Sequence, residues 1–182
     1  MNRTIDIKRT AGQVVFEPLE ATANDVVFWR NNDPNAPHWP TPANGVFLNY
    51  QIPAFSGVPS PPTSDSYGLA SPTSVTTLNY GCQIAGHQNE KGVITIYPAL
   101  KAGAAIPAAA TVNQPYTGPL NPSGGKGPYV WSVLIGSLPP GLTLAAAAVS
   151  GTPAQAGSFT FTLQVADALG NLKTLACTLN IT

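Results

Sequence analysis

The sequence predicts an all-β chain made of two small sandwiches, on three observations. Apolar and polar residues alternate over short runs, as in Thr4-Ile5-Asp6-Ile7-Lys8 and Phe159-Thr160-Phe161-Thr162-Leu163-Gln164-Val165, and a period of two marks a strand with one buried face. Glycine and proline supply 17 and 19 of the 182 residues, spread between those runs, which is the turn chemistry of a β protein. The composition then shifts: Pro98 to Ala110 is rich in alanine and carries a single charge, Lys101. We read a first domain over 1–98, a linker over 99–110 that grades into the next strand, and a second domain over 111–182.

In order, Thr4–Lys8 and Gln13–Phe16 are strands, with turn or strand-end signals at Phe16-Glu17-Pro18 and Ala23-Asn24-Asp25. Val26 to Arg30 is a strand, and the proline-broken run from Asn31 to Pro42 is a loop. Pro53 to Pro72 lacks periodicity and reads as a long surface excursion, with a short strand near Phe47–Ile52 before it. Ser74–Tyr80 and Val93–Tyr97 are strands flanking a loop. In the second half the strands are Tyr129–Leu134, Leu142–Leu144, Ser158–Val165 and Lys173–Ile181. Gly170-Asn171 makes a hairpin turn between the last two, and the half reads as a small antiparallel sandwich.

Lys and Arg number 8 and Asp and Glu number 8, so net charge is zero. Binding to nucleic acid or to an anionic membrane surface needs clustered positive charge, and neither is expected. No apolar run is long enough to span a bilayer. Met1-Asn2-Arg3-Thr4 leads straight into a strand without the apolar core of a signal peptide. The chain is therefore cytosolic, or it is an exported protein seen without its leader. Two cysteines are too few for a disulfide framework. A bridge between Cys82 and Cys177 would need the two domains to touch and is not expected. Cys177 lies on the apolar face of the last strand and reads as a small buried hydrophobe.

Chemistry concentrates in Asn79-Tyr80-Gly81-Cys82-Gln83-Ile84-Ala85-Gly86-His87-Gln88-Asn89-Glu90-Lys91-Gly92-Val93-Ile94-Thr95-Ile96, where one loop carries both a thiol and an imidazole. The chain's other histidine, His38, follows Asn31-Asn32-Asp33-Pro34-Asn35-Ala36-Pro37. A thiolate with two imidazoles and a weaker fourth donor suits a single copper ion that carries electrons. His38 alone could be a surface loop histidine; beside the Cys82–His87 pair it reads better as a ligand. Asp33 and Asp25 read as turn residues. Trp39 would shield the site or form part of a docking face.

The segment resembles the copper loop of the cupredoxins, in which Tyr-x-Cys, a histidine, an axial methionine and Lys/Arg-Gly precede the last strand. Tyr80-Gly81-Cys82, His87 and Lys91-Gly92 follow that order, and Asn24 to His38 is similar to the stretch that delivers the first histidine ligand. The resemblance covers about residues 1–98 and implies a Greek-key β-sandwich holding one copper ion through His38, Cys82 and His87. Glu90 stands in the methionine's slot, and the only methionine is Met1. A carboxylate there would favour Cu(II), lower the potential and shift the colour toward green or red. The alternatives are that Glu90 faces solvent and that water, Gln88, a loop carbonyl or nothing caps the metal.

Leu138-Pro139-Pro140-Gly141-Leu142, Val149-Ser150-Gly151-Thr152-Pro153 and Ala156-Gly157-Ser158-Phe159 onward to Ala168 resemble the immunoglobulin-like repeat of bacterial secreted and surface proteins, over about 105–182. Trp131, Phe159 and Phe161 are expected in its core, and Asp167 at a strand end. Such domains space or attach things, so attachment to a protein or a cell surface is the partner expected there.

The expected function is single-electron transfer outside the cytoplasm, periplasmic or extracellular, with an unidentified redox partner and an electron entry face around His87 and Trp39. Copper storage or delivery, or a structural surface protein with a degenerate site, are the alternatives. No enzyme is expected, because the copper enzymes of this fold need further histidines and this chain has two.

Overall fold

The computed structural model describes residues 1–42, 51–57, 60–145 and 147–182. Most of the strand expected near Phe47–Ile52 lies outside the described residues. The chain is all-β: every regular element among the described residues is a strand, and no helix is long and apolar enough to cross a membrane. It divides into two compact units, Met1–Ala99 and Leu100–Thr182.

The first unit contains β1 (Asn2–Thr10), β2 (Gln13–Phe16), β3 (Leu19–Thr22), β4 (Val26–Asn31), β5 (Pro40–Pro42), β6 (Tyr67–Gly68), β7 (Thr76–Cys82) and β8 (Lys91–Tyr97). One sheet has the order β2-β1-β4-β6 and the other β3-β8-β7-β5. The β1–β4 and β3–β8 pairs are parallel and the remaining pairs antiparallel. Alternation puts Ile5 and Ile7 of β1, Val27 and Trp29 of β4, Tyr80 of β7 and Ile94 and Ile96 of β8 into one core. Tyr80 packs edge-on against Trp29 and Phe16, with ring centroids 5.6 and 5.5 Å apart. A Cβ on Gly92 would collide with the Tyr80 ring, which gives the glycine of Lys91-Gly92 a packing reason.

In this unit three short strands were not legible in the sequence: β3, where turn signals flank only four residues, β5 inside the Asn31–Pro42 loop, and β6 inside the Pro53–Pro72 excursion. That excursion is not wholly superficial. The Ser64 N–H donates to the Trp29 carbonyl at 2.8 Å, the Ser64 hydroxyl accepts the Trp29 N–H at 2.9 Å, and Leu69 is buried.

The second unit contains β9 (Ala109–Ala110), β10 (Tyr116–Pro119), β11 (Val130–Ile135), β12 (Leu142–Ala145), β13 (Ala148–Gly151), β14 (Gly157–Ala166) and β15 (Leu172–Ile181). Its sheets run β11-β14-β15-β9 and β10-β13-β12. Trp131, Phe161, Leu163, Val165, Val149 and Leu179 fill the core, and Phe159 packs at its margin. Cys177 is buried there and unpaired, as is Cys82 in the first unit. Residues 99–110, expected to link the domains, supply Leu100 and Ile106 to this core and strand β9 to its sheet. Alanine and proline around them hide the two large apolar side chains that do the packing. The β14–β15 turn is longer than Gly170-Asn171: the Asp167 carboxylate accepts the N–H groups of Leu169 and Asn171 at 2.9 and 2.8 Å and organises five residues.

Candidate metal centre

The site grows from two places in the first unit that the chain order separates and the sheets bring together. The first is the end of β4. Asn31, the last residue of that strand, points inward and is fully buried. Its amide donates to the carbonyls of Ala36 and Pro53 at 2.9 and 2.8 Å, and its oxygen accepts the Asp33 N–H at 2.9 Å. One side chain thereby folds the polar run after β4. His38 is then fixed by a two-way backbone bridge to Ile52, with bonds of 3.0 and 2.8 Å. It is 0 % exposed, which is unlike a surface loop histidine.

The second place is the loop from β7 to β8. It closes through N–H bonds from His87 to the Ile84 carbonyl and from Glu90 to the His87 carbonyl, both 3.0 Å, and from Cys82 to the Glu90 carbonyl at 3.1 Å. Gly86 occupies the left-handed region at φ 89°, a conformation a side chain would strain. These turns aim Cys82, His87 and Glu90 to one side. Gln88 is exposed and points away from that role.

Four donor atoms converge. His38 Nδ1 lies 3.0 Å from Glu90 Oε2 and 4.0 Å from Cys82 Sγ. His87 Nδ1 lies 3.1 Å from Glu90 Oε2 and 3.7 Å from Cys82 Sγ. All four atoms fall within 4.8 Å of one another. For a tetrahedral ion with metal–nitrogen and metal–sulfur bonds of protein sites, ligand atoms stand roughly 3.4–3.6 Å apart. The observed spacings straddle that range, and two imidazoles, a thiol and a carboxylate are a donor set of metal sites. The four residues fit a single ion. Glu90 does not face solvent: its carboxylate turns inward and touches both rings, with 14 % of the side chain exposed. His87 is 20 % exposed, so the site reaches the surface through that ring.

Burial pushes the Cys82 thiol up, and Glu90 adds to that; the Trp39 N–H, which donates to Sγ at 3.3 Å, acts against it. The neutral thiol is thereby favoured over the thiolate, and a bound cation would have to displace that proton. Trp39 serves through its backbone, since its carbonyl also accepts the Gln83 N–H at 3.0 Å, while its side chain packs on the core.

Asp33 is the residue sequence reasoning undervalued. It does accept the Asn35 N–H at 2.9 Å, as a turn residue would. It also meets His38 Nε2 at 3.0 Å and takes a two-pronged bond from Arg9 at 3.1 and 2.8 Å. Burial would raise its pKa, but Arg9, the Asn35 N–H and His38 outweigh it and hold the carboxyl at about 2. Asp25 likewise does more than turn the chain: it is buried, accepts the Thr22 N–H and pairs with Arg3 and the terminal ammonium.

Residues 93–182 match the family model described as "Putative Ig domain", just short of half the chain. No curated protein matches the sequence. Among solved structures, a Bacteroides fragilis protein described as a "putative alpha-galactosidase" is similar at 25 % identity over 46 % of this chain, with a TM-score of 0.39. The present chain spans only 17 % of that protein's length. An amicyanin variant in the Cu(I) state is similar at 15 % identity over 51 % of this chain and 79 % of its own, with a TM-score of 0.35. The first four immunoglobulin domains of Sidekick-1 align over 91 % of this chain and 47 % of theirs, at 12 % identity and a TM-score of 0.48. With every TM-score below 0.5, these likenesses carry no argument about the site.

Proposed function

We propose that the first unit is a cupredoxin-type protein that holds one copper ion and passes single electrons outside the cytoplasm, in the periplasm or extracellularly. The observation that carries the reading is the convergence of His38 Nδ1, Cys82 Sγ, His87 Nδ1 and Glu90 Oε2 at ligand spacing. A bound copper ion supplies the one-electron couple between Cu(II) and Cu(I). The chain supplies a cage: His38 is locked by Ile52, the loop is closed at both ends, and the thiol is sheltered from water. A cage that changes little between oxidation states keeps reorganisation small. Glu90 serves as the fourth donor in place of a thioether, and a hard anionic oxygen favours Cu(II). The protein is a carrier, not an enzyme. Electrons enter through the exposed edge of His87 from a partner protein not yet identified, and the Ig-like unit attaches the carrier to a protein or surface.

Glu90 also supports a second reading, in which so low a potential suits copper holding or delivery better than electron transfer. One experiment addresses both. Metal-free reduced protein is titrated with Cu(II) and followed by visible absorption and electron paramagnetic resonance, with Cys82→Ala and Glu90→Met in parallel. The expected result is a thiolate-to-copper band at one equivalent, absent in Cys82→Ala and shifted toward blue with a raised potential in Glu90→Met. No thiolate band in the wild type would end the copper reading. A site that cycles reversibly at a stable potential favours electron transfer, and one that releases Cu(I) on reduction favours holding and delivery.

A further inference from the structure

The donor group accounts for His38 Nδ1, Cys82, His87 and Glu90 but gives no task to the carboxylate behind it. Asp33 is fully buried, and its oxygens take four hydrogen bonds. Oδ1 accepts from Arg9 Nε at 3.1 Å and the Asn35 N–H at 2.9 Å, and Oδ2 accepts from Arg9 Nη2 at 2.8 Å and His38 Nε2 at 3.0 Å. An ionised carboxylate offers about four lone-pair sites, so Asp33 is saturated and has one orientation. A turn needs only the bond from Asn35. The other three place a guanidinium on one side of the carboxylate and the ring of a candidate ligand on the other.

We propose that Arg9 and Asp33 are positioning residues for the metal, acting through His38: Asp33 fixes the ring hydrogen on Nε2 so that Nδ1 presents its lone pair, and Arg9 limits how much of the Asp33 charge the ring feels. The inference rests on the copper reading for the identity of the metal only. Because a carboxylate accepts and cannot donate, the hydrogen between Nε2 and Oδ2 belongs to the ring. A carboxylate behind a ligating imidazole raises its basicity and holds its plane. Burial matters here, since charge interactions in an interior are screened less than at the surface. Asp33 therefore favours the more highly charged Cu(II), and Arg9, its counter-charge, opposes that preference. The two residues touch each other yet push the couple in opposite directions.

The test uses the full chain as wild type, Asp33→Asn and Arg9→Gln, with Cu(II) and Cu(I) affinities, the reduction potential, the visible spectrum and the urea midpoint of the metal-free protein. Asp33→Asn is expected to weaken Cu(II) binding on the order of 10–100-fold, the usual cost of losing such a partner, with less effect on Cu(I) and a raised potential. Arg9→Gln is expected to lower the potential, and Arg9→Lys, which keeps the charge, to restore part of the wild-type value. Both substitutions remove hydrogen bonds of Asp33 and are expected to destabilise the metal-free chain, so opposite shifts in potential cannot come from lost stability. Shifts of the same sign, or an unchanged affinity ratio and spectrum in both variants, would overturn the inference. If the wild type forms no thiolate–copper band, the copper reading fails, and Zn(II) affinity decides the role of Asp33. A loss of about tenfold or more in Asp33→Asn supports it, and equal affinity overturns it. A wild type that binds neither ion ends both.

Discussion

The two units bury very different interiors. Among the described residues, the first encloses Thr22, Asp25, Asn31, Asp33, His38, Thr41 and Ser64, whereas the second encloses one polar side chain, Asp167. The lone Asp167 accepts backbone N–H groups, those of Leu169 and Asn171 in its own hairpin and that of Lys126, and settles a turn. In the first unit three of these groups form a series, Asn31 to Asp33, Asp33 to His38, His38 to Glu90, that ends at the donor atoms. A buried polar group costs stability unless it is paired. Three of the seven, Asn31, Asp33 and His38, are linked in sequence toward the donor atoms, so this part of the first unit is organised around them, while the second unit is organised around its packing. The two buried cysteines repeat the contrast. Burial pushes both thiols up. Cys82 faces two histidines, and the Cys177 thiol meets backbone groups, the Leu175 carbonyl at 3.7 Å and Ile106.

Three measurements sharpen or break this contrast. The largest effect belongs to the apolar interior: Phe161→Ala is expected to cost about 3–5 kcal/mol, the usual loss for a core phenylalanine. Urea denaturation measures it, and metal uptake in the folded variant is expected to be unchanged; weakened uptake would show that the site depends on the second unit. Next is Asn31→Ala, which strips a buried network and leaves the Asp33 N–H and the Ala36 and Pro53 carbonyls without that partner. It is expected to cost about 1–3 kcal/mol and, unlike Phe161→Ala, to weaken metal binding as well, because the segment leading to His38 loosens.

The smallest effect near neutrality is with pH. The carboxyls of Asp6, Asp25 and Asp33 are all held below their ordinary range, Asp33 at about 2 against an ordinary value of 3.8. A carboxyl whose folded pKa lies below its unfolded one adds stability that is fully present above the unfolded value and fades as pH falls through the folded value. For Asp33 the window runs from about 4 down to about 2. Resolved amide signals of the metal-free protein, followed during acidification, are expected to show the strands around Asp33 melting in that window. Signals that persist at pH 2 would mean the carboxylate network adds little.

Much of this is legible in the sequence, and the reason is locality. Cys82, His87 and Glu90 share one loop, so spacing alone presents them together, and alternation reveals β1, β4, β7, β8, β14 and β15 because each has one buried face. What escaped depends on distant pairing. Arg9 and Asp33 meet across 24 residues, and nothing in Lys8-Arg9-Thr10 announces a partner for the carboxylate behind His38. Asp33 had an adequate local explanation as a turn residue and so concealed a second role. The parallel β1–β4 and β3–β8 pairs leave no mark in strand periodicity, which is blind to direction. Leu100 and Ile106 sit among alanines and prolines with no period, so their burial surfaced only when the sheet they pack on was present.

The separation between His38 and Cys82 has a mechanical consequence. They are 44 residues apart, and three of the four donors sit on the far side of that interval. An ion gripped by all four is a removable cross-link closing a long loop. Loop-closure arithmetic for a permanent bond of that span gives about 4 kcal/mol. Metal loading would then act as a fastener for the first unit, which chelation undoes without cutting a covalent bond. The same interval contains the excursion that returns to β4, so metal occupancy and scaffold strength would rise and fall together.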